Sequence, residues 1–302
     1  MFSSKLAPKI LNPMSHPVPF VKYADPAFTA ERTRHCELRC LISESELVLT
    51  VYDILSGQFR LIERYPLTNS YNKNRPAEVL ARILQTHALT RLEFKHIEII
   101  PDTNSWLLVP VELFDESAIS PMLALGNEPE PNSAYGYDRL SDGKRFIIRA
   151  WPESWKQVID AQFPDYLIRH SSSILFEILM RRKMEGSFVY VNVHGFMADI
   201  LVINGSNPHL FNSYAFQSPE DFIYFIGLAY EKLELNRDKD PLILMGEIEE
   251  GSALHQISFR YFRDIRFFER PGEASVPDAP EGFPALGQHA YVSLLHPYDS
   301  DN

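Results

Sequence analysis

The residues that come closest to chemistry lie in one short stretch, "YVNVHGFMADILVING", residues 190–205. Its outline is that of a β-hairpin able to grip a phosphate: a strand, a tight turn with a glycine, a second strand. In such a hairpin the first strand ends in an acid that holds Mg²⁺ through water, and the turn's N–H groups wrap the anion. Within "NVHGFMAD", Asn192 stands where that acid is expected and His194 where a small residue is expected. Asn192 accepts a hydrogen bond but brings no charge to a metal. Gly195 is kept, bulky Phe196 and Met197 follow and are expected to crowd the turn, and Asp199 holds the place of a second acid. Asp199 fits the polar face of a strand equally well. A later stretch, "LILMGEIEEGSAL", places Gly246 after an apolar strand and Gly251 before a helix. Two glycines in such a turn would let an adenosine lie against the backbone. Glu247 replaces the second of them, and Glu249 and Glu250 make the loop acidic. A site for ATP would therefore rest on Asn192, Gly195, Asp199 and Gly246.

Other chemistries find less. Near residue 43 a related hairpin, "LISESELVL", has no Asp before its turn and no Gly in it, and Glu44 and Glu46 put negative charge there. Two like charges within about 6 Å cost roughly 1–3 kcal/mol at an effective dielectric near 20. Two-metal nuclease chemistry needs clustered carboxylates, and Ser43 and Asn192 stand at the expected acid positions. The ten histidines form no HExxH or other zinc spacing. His194 near Asp199 suggests a dyad, although a lone His beside a turn is more often structural. GxSxG and GxxxxGK[ST] are absent. No catalytic residue, metal ligand or cofactor is assigned from the sequence. "FRYFRDIRFFER", residues 259–270, sets Arg260, Arg263, Arg266 and Arg270 among Phe259, Tyr261, Phe262, Phe267 and Phe268. That composition suits a protein interface or a single-strand nucleic-acid platform, and it also suits a helix and strand that bury their aromatics.

Composition narrows the partners. The 302 residues carry a net charge of −11, which disfavours nonspecific binding to nucleic acid or anionic lipid. Apolar runs such as "ILFEILM" and "FIYFIGLAY" fall short of the roughly 20 residues of a membrane span. The first residues, "MFSSKLAPKILNPMSH", hold no apolar core of a signal peptide, so a cytoplasmic location is expected. Cys36 and Cys40 on one extended strand would sit about 13 Å apart. A disulfide needs Cα atoms within about 7 Å, so both are expected to stay reduced.

The elements that must position these residues follow from periodicity. Alternation predicts strands near 38–44, 47–54 and 59–66, with Ser56-Gly57 as the second turn. "RPAEVLARILQTHAL" puts Val79, Leu80, Ile83 and Leu84 on one helix face, and "FKHIEII" reads as a further strand. "FVYVNVHG", "ADILVING" and "PHLFNSYAF", residues 188–195, 198–205 and 208–216, repeat the pattern of three strands, with Asn204-Gly205 as the second turn. A helix then opens at Ser218-Pro219, with Asp221 closing a capping box. Phe222, Phe225, Ile226 and Ala229 are expected to face its sheet, and "PLILMGE" supplies the next strand. This β-β-β-α-β series starts at Leu38 and again at Phe188, 150 residues later. A duplicated unit of this kind is the pattern of paired ribonuclease-H-like domains, and two of them facing a cleft make an α/β fold with the actin-like ATPase arrangement. The expected division is an irregular lead-in over 1–34, a first domain over 35–172, a second over 173–270 and an irregular tail over 271–302.

"LLVPVELFDE", "LFNSYAFQSPEDFIYFIGLAYEKLEL", "LILMGEI" and "YFRDIRFF" resemble a bacterial family of uncharacterised proteins, domain of unknown function 3822. The resemblance runs from about Tyr23 to Arg270 and implies an actin-like ATPase fold; it implies no activity. The leading expectation is a non-catalytic actin-like scaffold with a degenerate nucleotide site, acting through a protein partner or self-association. The alternatives are an ATP-binding protein or phosphotransferase with unusual phosphate loops, and nucleic-acid binding through residues 259–270.

Overall fold

The structure is a computed structural model and describes residues 17–26, 28–68, 75–182, 184–270 and 287–296. In chain order the first half carries β1 (Val21–Ala24), β2 (Cys36–Ile42), β3 (Glu46–Asp53), β4 (Gln58–Pro66), α1 (Pro76–Thr86) and β5 (His96–Pro101). Then come β6 (Trp106–Pro110), α2 (Ile119–Leu123), β7 (Ser133–Arg139), β8 (Arg145–Pro152), α3 (Glu153–Gln162), β9 (Leu167–Ile168) and α4 (Ser171–Met180). The second half carries β10 (Ser187–His194), β11 (Met197–Asn204), β12 (Asn207–Ala215), α5 (Pro219–Lys232), β13 (Leu242–Gly246), α6 (Ala253–Ser258) and β14 (Ile265–Phe267).

The repeat expected from periodicity is visible in the sheets. The first sheet runs β1-β4-β3-β2-β5-β9 and the second β12-β11-β10-β13-β14. In each, a three-strand antiparallel meander is followed by a helix and by strands parallel to the first of the meander. The two tight turns fall at the glycines, Gly57 (φ +68) and Gly205 (φ +60), where a left-handed backbone carries no Cβ penalty. Between β5 and β9 the chain inserts a third sheet, β6-β8-β7, covered by α2 through Ile119 and Leu123.

The sheets and helices stack in layers. Leu80, Ile83 and Leu84 of α1 and Trp155 and Ile159 of α3 pack on Leu38, Cys40, Leu49 and Val51. Phe222, Ile226 and Tyr230 of α5 and Ile257 of α6 pack on Val189, Val191 and Leu244. α4 lies between the two lobes and is buried on nearly all sides, its three serines and Glu177 included. Its Ile174 meets Leu41, Val48 and Ile62 of the first lobe. Its Leu175, Phe176 and Leu179 meet Tyr190, Leu201 and Met245 of the second. Residues 287–296 share that middle layer: Leu294 and Leu295 join the first-lobe cluster and Val292 the second-lobe cluster.

Two expectations are corrected, and the tail adds burial to its expected irregularity. Of the lead-in, Val21–Ala24 is a strand, because Tyr23 and Ala24 find Ile62 and Leu61 along the free edge of β4. The described part of the tail is irregular, yet Val292, Leu294 and Leu295 are buried. The capping box of α5 forms as expected, with Ser218 Oγ accepting from Asp221 N and the Asp221 carboxylate accepting from Ser218 N. Its buried face, however, is Phe222, Ile223, Ile226, Ala229 and Tyr230, and Phe225 lies at the rim, stacked on Tyr214 at 4.8 Å. Cys36 and Cys40 are free, buried thiols on β2. Among the described residues no helix is long and apolar enough to cross a membrane.

Candidate functional site

Asn192, Gly195, Asp199 and Gly246 converge at one end of the second sheet. β10 and β13 are parallel, so the pairing Val193↔Gly246 brings the β13 exit beside the turn that follows His194. Across the hairpin Asn192 faces Asp199, and its Nδ2 donates to Asp199 Oδ2 at 3.5 Å. This is the carboxyl end of the parallel strands, where α/β sheets gather their ligand-facing groups.

The turn itself departs from expectation. Phe196 is 76% exposed, so its ring stands largely in solvent rather than packed into the site. Gly195 sits at φ +55 with open space where a Cβ would be. Its N–H is nevertheless engaged: Glu247 reaches across and accepts it at Oε2, 3.1 Å away. The residue in the place of a second glycine thus puts its own carboxylate on the turn amide.

His194 is held between acids from both lobes. Its Nε2 lies 3.1 Å from Asp199 Oδ2, and its Nδ1 lies 3.7 Å from Asp102 Oδ2, just beyond β5. Burial disfavours the imidazolium, but Asp199 and Asp102, aided by Glu247, override it and raise the His194 pKa to about 10. Burial would likewise raise Asp199, and the imidazolium instead lowers it. Asp102 is fixed from the other side by Ser171 Oγ at 2.5 Å, in the first turn of α4. The imidazole between Asp199 and Asp102 therefore ties the two lobes together by charge.

Gly246 has a packing reason of its own. At φ +84, a Cβ there would collide with the Val193 carbonyl oxygen and lie 2.7 Å from Asn192 Oδ1. Close approach of two strands is thus itself a reason for a glycine here. In the first hairpin Glu44 is exposed, whereas Glu46 is buried and paired with Arg64 at 2.9 Å. Burial pushes the Glu46 carboxyl up, Arg64 and the Tyr291 hydroxyl pull it back, and the charge of Glu247 adds to the rise. Tyr291 donates its hydroxyl to Glu46 Oε1 at 2.7 Å. Two residues earlier, the His289 carbonyl accepts from Gly246 N at 2.8 Å. The tail segment therefore runs from the β13 exit to the start of β3, between the two lobes.

Asp102 and Tyr291 were not singled out by sequence. Asp102 had a usable signal, since "EIIPD" ends a strand parallel to β2 at the sheet's carboxyl end. Tyr291 had none: nothing in "GQHAYVSLLH" marks it as facing Glu46 across 245 residues. The arginine and aromatic segment is divided in space. Phe262, Phe268 and Arg270 are buried, Phe259 and Tyr261 are exposed, and Arg263 and Arg266 pair with Asp238 and Asp264. Among the described residues no group of three or more His, Cys, Asp or Glu could hold a metal ion.

Comparison with solved structures places this architecture. A protein of Bacteroides thetaiotaomicron, with actin-like ATPase fold and unknown function, is similar with a TM-score of 0.73 at 17% identity, over 80% of this chain and 93% of that one. The PilM-PilN type IV pilus biogenesis complex is similar with a TM-score of 0.50 at 10% identity, over 79% of this chain and 89% of that one. Likeness at these identities shows the fold alone: two ribonuclease-H-like lobes in the actin-like ATPase arrangement. No curated protein matches the chain. The family described as "Protein of unknown function (DUF3822)" matches residues 25–265, and the chain belongs to that family.

Proposed function

We propose that the chain is a non-catalytic actin-like scaffold that does not use ATP and works by binding a protein partner. The observation that carries the reading is the Glu247 carboxylate on the Gly195 amide. A phosphate needs that donor, and the residue holding it has the phosphate's own sign. Around it, the carboxylates of Asp102, Asp199, Glu46 and Glu247 outnumber the cations His194 and Arg64 that they meet, which disfavours a polyphosphate. Asn192 and Gly246 are occupied with each other's neighbourhood, and Asp199 is committed to His194. These residues do not fit Mg-ATP.

One feature favours the alternative of a working ATP site on Asn192, Gly195, Asp199 and Gly246: the open space at Gly195. Equilibrium dialysis against labelled ATP with Mg²⁺, with phosphate release followed in parallel, separates the two readings. The scaffold reading expects label and phosphate at the level of a buffer control. Saturable binding that Gly195→Trp abolishes would establish the alternative. A protein partner is in keeping with a fold relative whose structure is that of a complex, PilM-PilN. Nucleic acid is the least supported partner, because residues 259–270 split into a buried and an exposed set and two of their arginines are paired. Co-purification from the native cell should return a stoichiometric protein companion; a chain recovered alone would speak against the partner.

A further inference from the structure

Residues 287–296 are held between the lobes by contacts of two kinds. One kind grips backbone. Arg39, fully buried on β2, donates from Nη1 to the carbonyls of Leu294 at 2.9 Å and His296 at 2.6 Å. Arg270 donates to the carbonyls of Gly287 at 2.9 Å and Gln288 at 2.7 Å. Gly246 N donates to the carbonyl of His289 at 2.8 Å. The other kind receives side chains. Tyr291 lies under the Arg64 guanidinium, 5.0 Å from its ring centroid, with its hydroxyl on Glu46. Val292 enters the second-lobe cluster, and Leu294 and Leu295 enter the first-lobe cluster.

Backbone grip for affinity and side-chain pockets for selection is how protein grooves recognise peptides. The segment carries turns, with Ala290 N donating to Gly287 O, and Leu294 N and Leu295 N both donating to Tyr291 O. Tyr291 holds φ +50, a left-handed conformation that a tyrosine keeps only where its surroundings fix it. The guanidinium of Arg39 is already neutralised by Glu37 at 2.6 Å and Glu98 at 3.5 Å, so it offers donors to carbonyls rather than a search for an anion. An empty groove would leave those donors and the apolar faces of both sheets to water, a cost that segment 287–296 removes.

We propose that the interlobe cleft is a peptide-binding groove whose resident ligand is the chain's own segment 287–296, and that a partner peptide with the same tyrosine-then-aliphatic pattern enters by displacing it. This deepens the partner-binding reading and rests on it. The groove is tested without nucleotide, so a failure here leaves the dialysis result standing, and the reverse also holds.

The probe is a fluorescent synthetic peptide of sequence GQHAYVSLLH, titrated into the full-length protein and read by anisotropy. In the wild type the tethered segment competes. In full-length Leu295→Asp the tethered copy is weakened by a charge in an apolar pocket. The peptide is expected to bind Leu295→Asp at least about tenfold more tightly than wild type, and a scrambled peptide is expected to bind neither. A Leu295→Asp protein with a cooperative thermal transition that leaves the peptide unbound overturns the proposal, as does equal binding of the scrambled peptide. Should Leu295→Asp lose that transition, Tyr291→Phe decides, because it removes only the hydroxyl that reaches Glu46. Hydrogen exchange at the Gly246 amide, which the segment covers, should then accelerate at least about tenfold over wild type. An unchanged rate overturns the proposal.

Discussion

Two glycines at one site carry different burdens. Gly195 needs only its left-handed φ, whereas Gly246 needs its φ and also the absence of a Cβ beside Val193 and Asn192. Gly195→Ala should therefore cost about 1–2 kcal/mol, the usual cost of the left-handed region. Gly246→Ala should add an overpacking cost of roughly 1–3 kcal/mol. Urea unfolding of both variants checks the order; equal losses would mean that the strands can part. His194 gives a pH signature. Its pKa is raised to about 10, so the ion pairs with Asp199 and Asp102 contribute fully below the unfolded value of about 6.5 and are lost as pH rises through the folded value. His194→Gln should cost roughly 3–5 kcal/mol near pH 6, because it leaves two carboxylates facing each other unpaired. That difference from wild type should shrink toward zero above about pH 10, as the wild-type imidazole loses its proton. A gap that stays constant across this range would show that the imidazole is held by packing and not by charge.

At the scale of elements, α5 shows both what periodicity reveals and where it stops. The cap at Ser218-Pro219 and the 3 and 4 spacing located the helix and most of its inner face. The spacing left open which way the stripe leans, and tertiary contact decided it: Ile223 and Tyr230 turned inward and Phe225 moved to the rim against Tyr214. Phe222→Ala should thus cost roughly 3–5 kcal/mol, whereas Phe225→Ala should cost less than about 2 kcal/mol. Thermal or urea unfolding of the pair tests the assignment, and the reverse order would contradict it. The hairpins were legible for a simpler reason: Asn204-Gly205 and Ser56-Gly57 are local turn chemistry, flanked by runs of apolar, β-branched residues that suit the buried strands β3 and β10. β1 was hidden because four residues with no pattern of their own became a strand only by meeting the edge of β4.

At the scale of the whole molecule, the duplicated lobes were readable from a repeat of element types, since each sheet repeats the same strand order. Asn192, Gly195, Asp199 and Gly246 lie together because their positions follow from strand ends. What occupies them was not readable. Glu247 on Gly195, Asp102 beside His194 and Tyr291 on Glu46 are contacts between segments far apart in sequence, and no local pattern encodes them. The central claim is that the chain's own groups fill the cleft where an actin-like ATPase would hold its nucleotide. Its most direct test is the thermal midpoint with and without Mg-ATP. A ligand at about 100 times its dissociation constant adds about 2.7 kcal/mol. At roughly 2–4 °C per kcal/mol, a working site of micromolar affinity would raise the midpoint by at least about 5 °C in near-millimolar ATP. A shift near zero is expected; a rise of that size which Gly195→Trp abolishes would mean that the cleft still holds nucleotide.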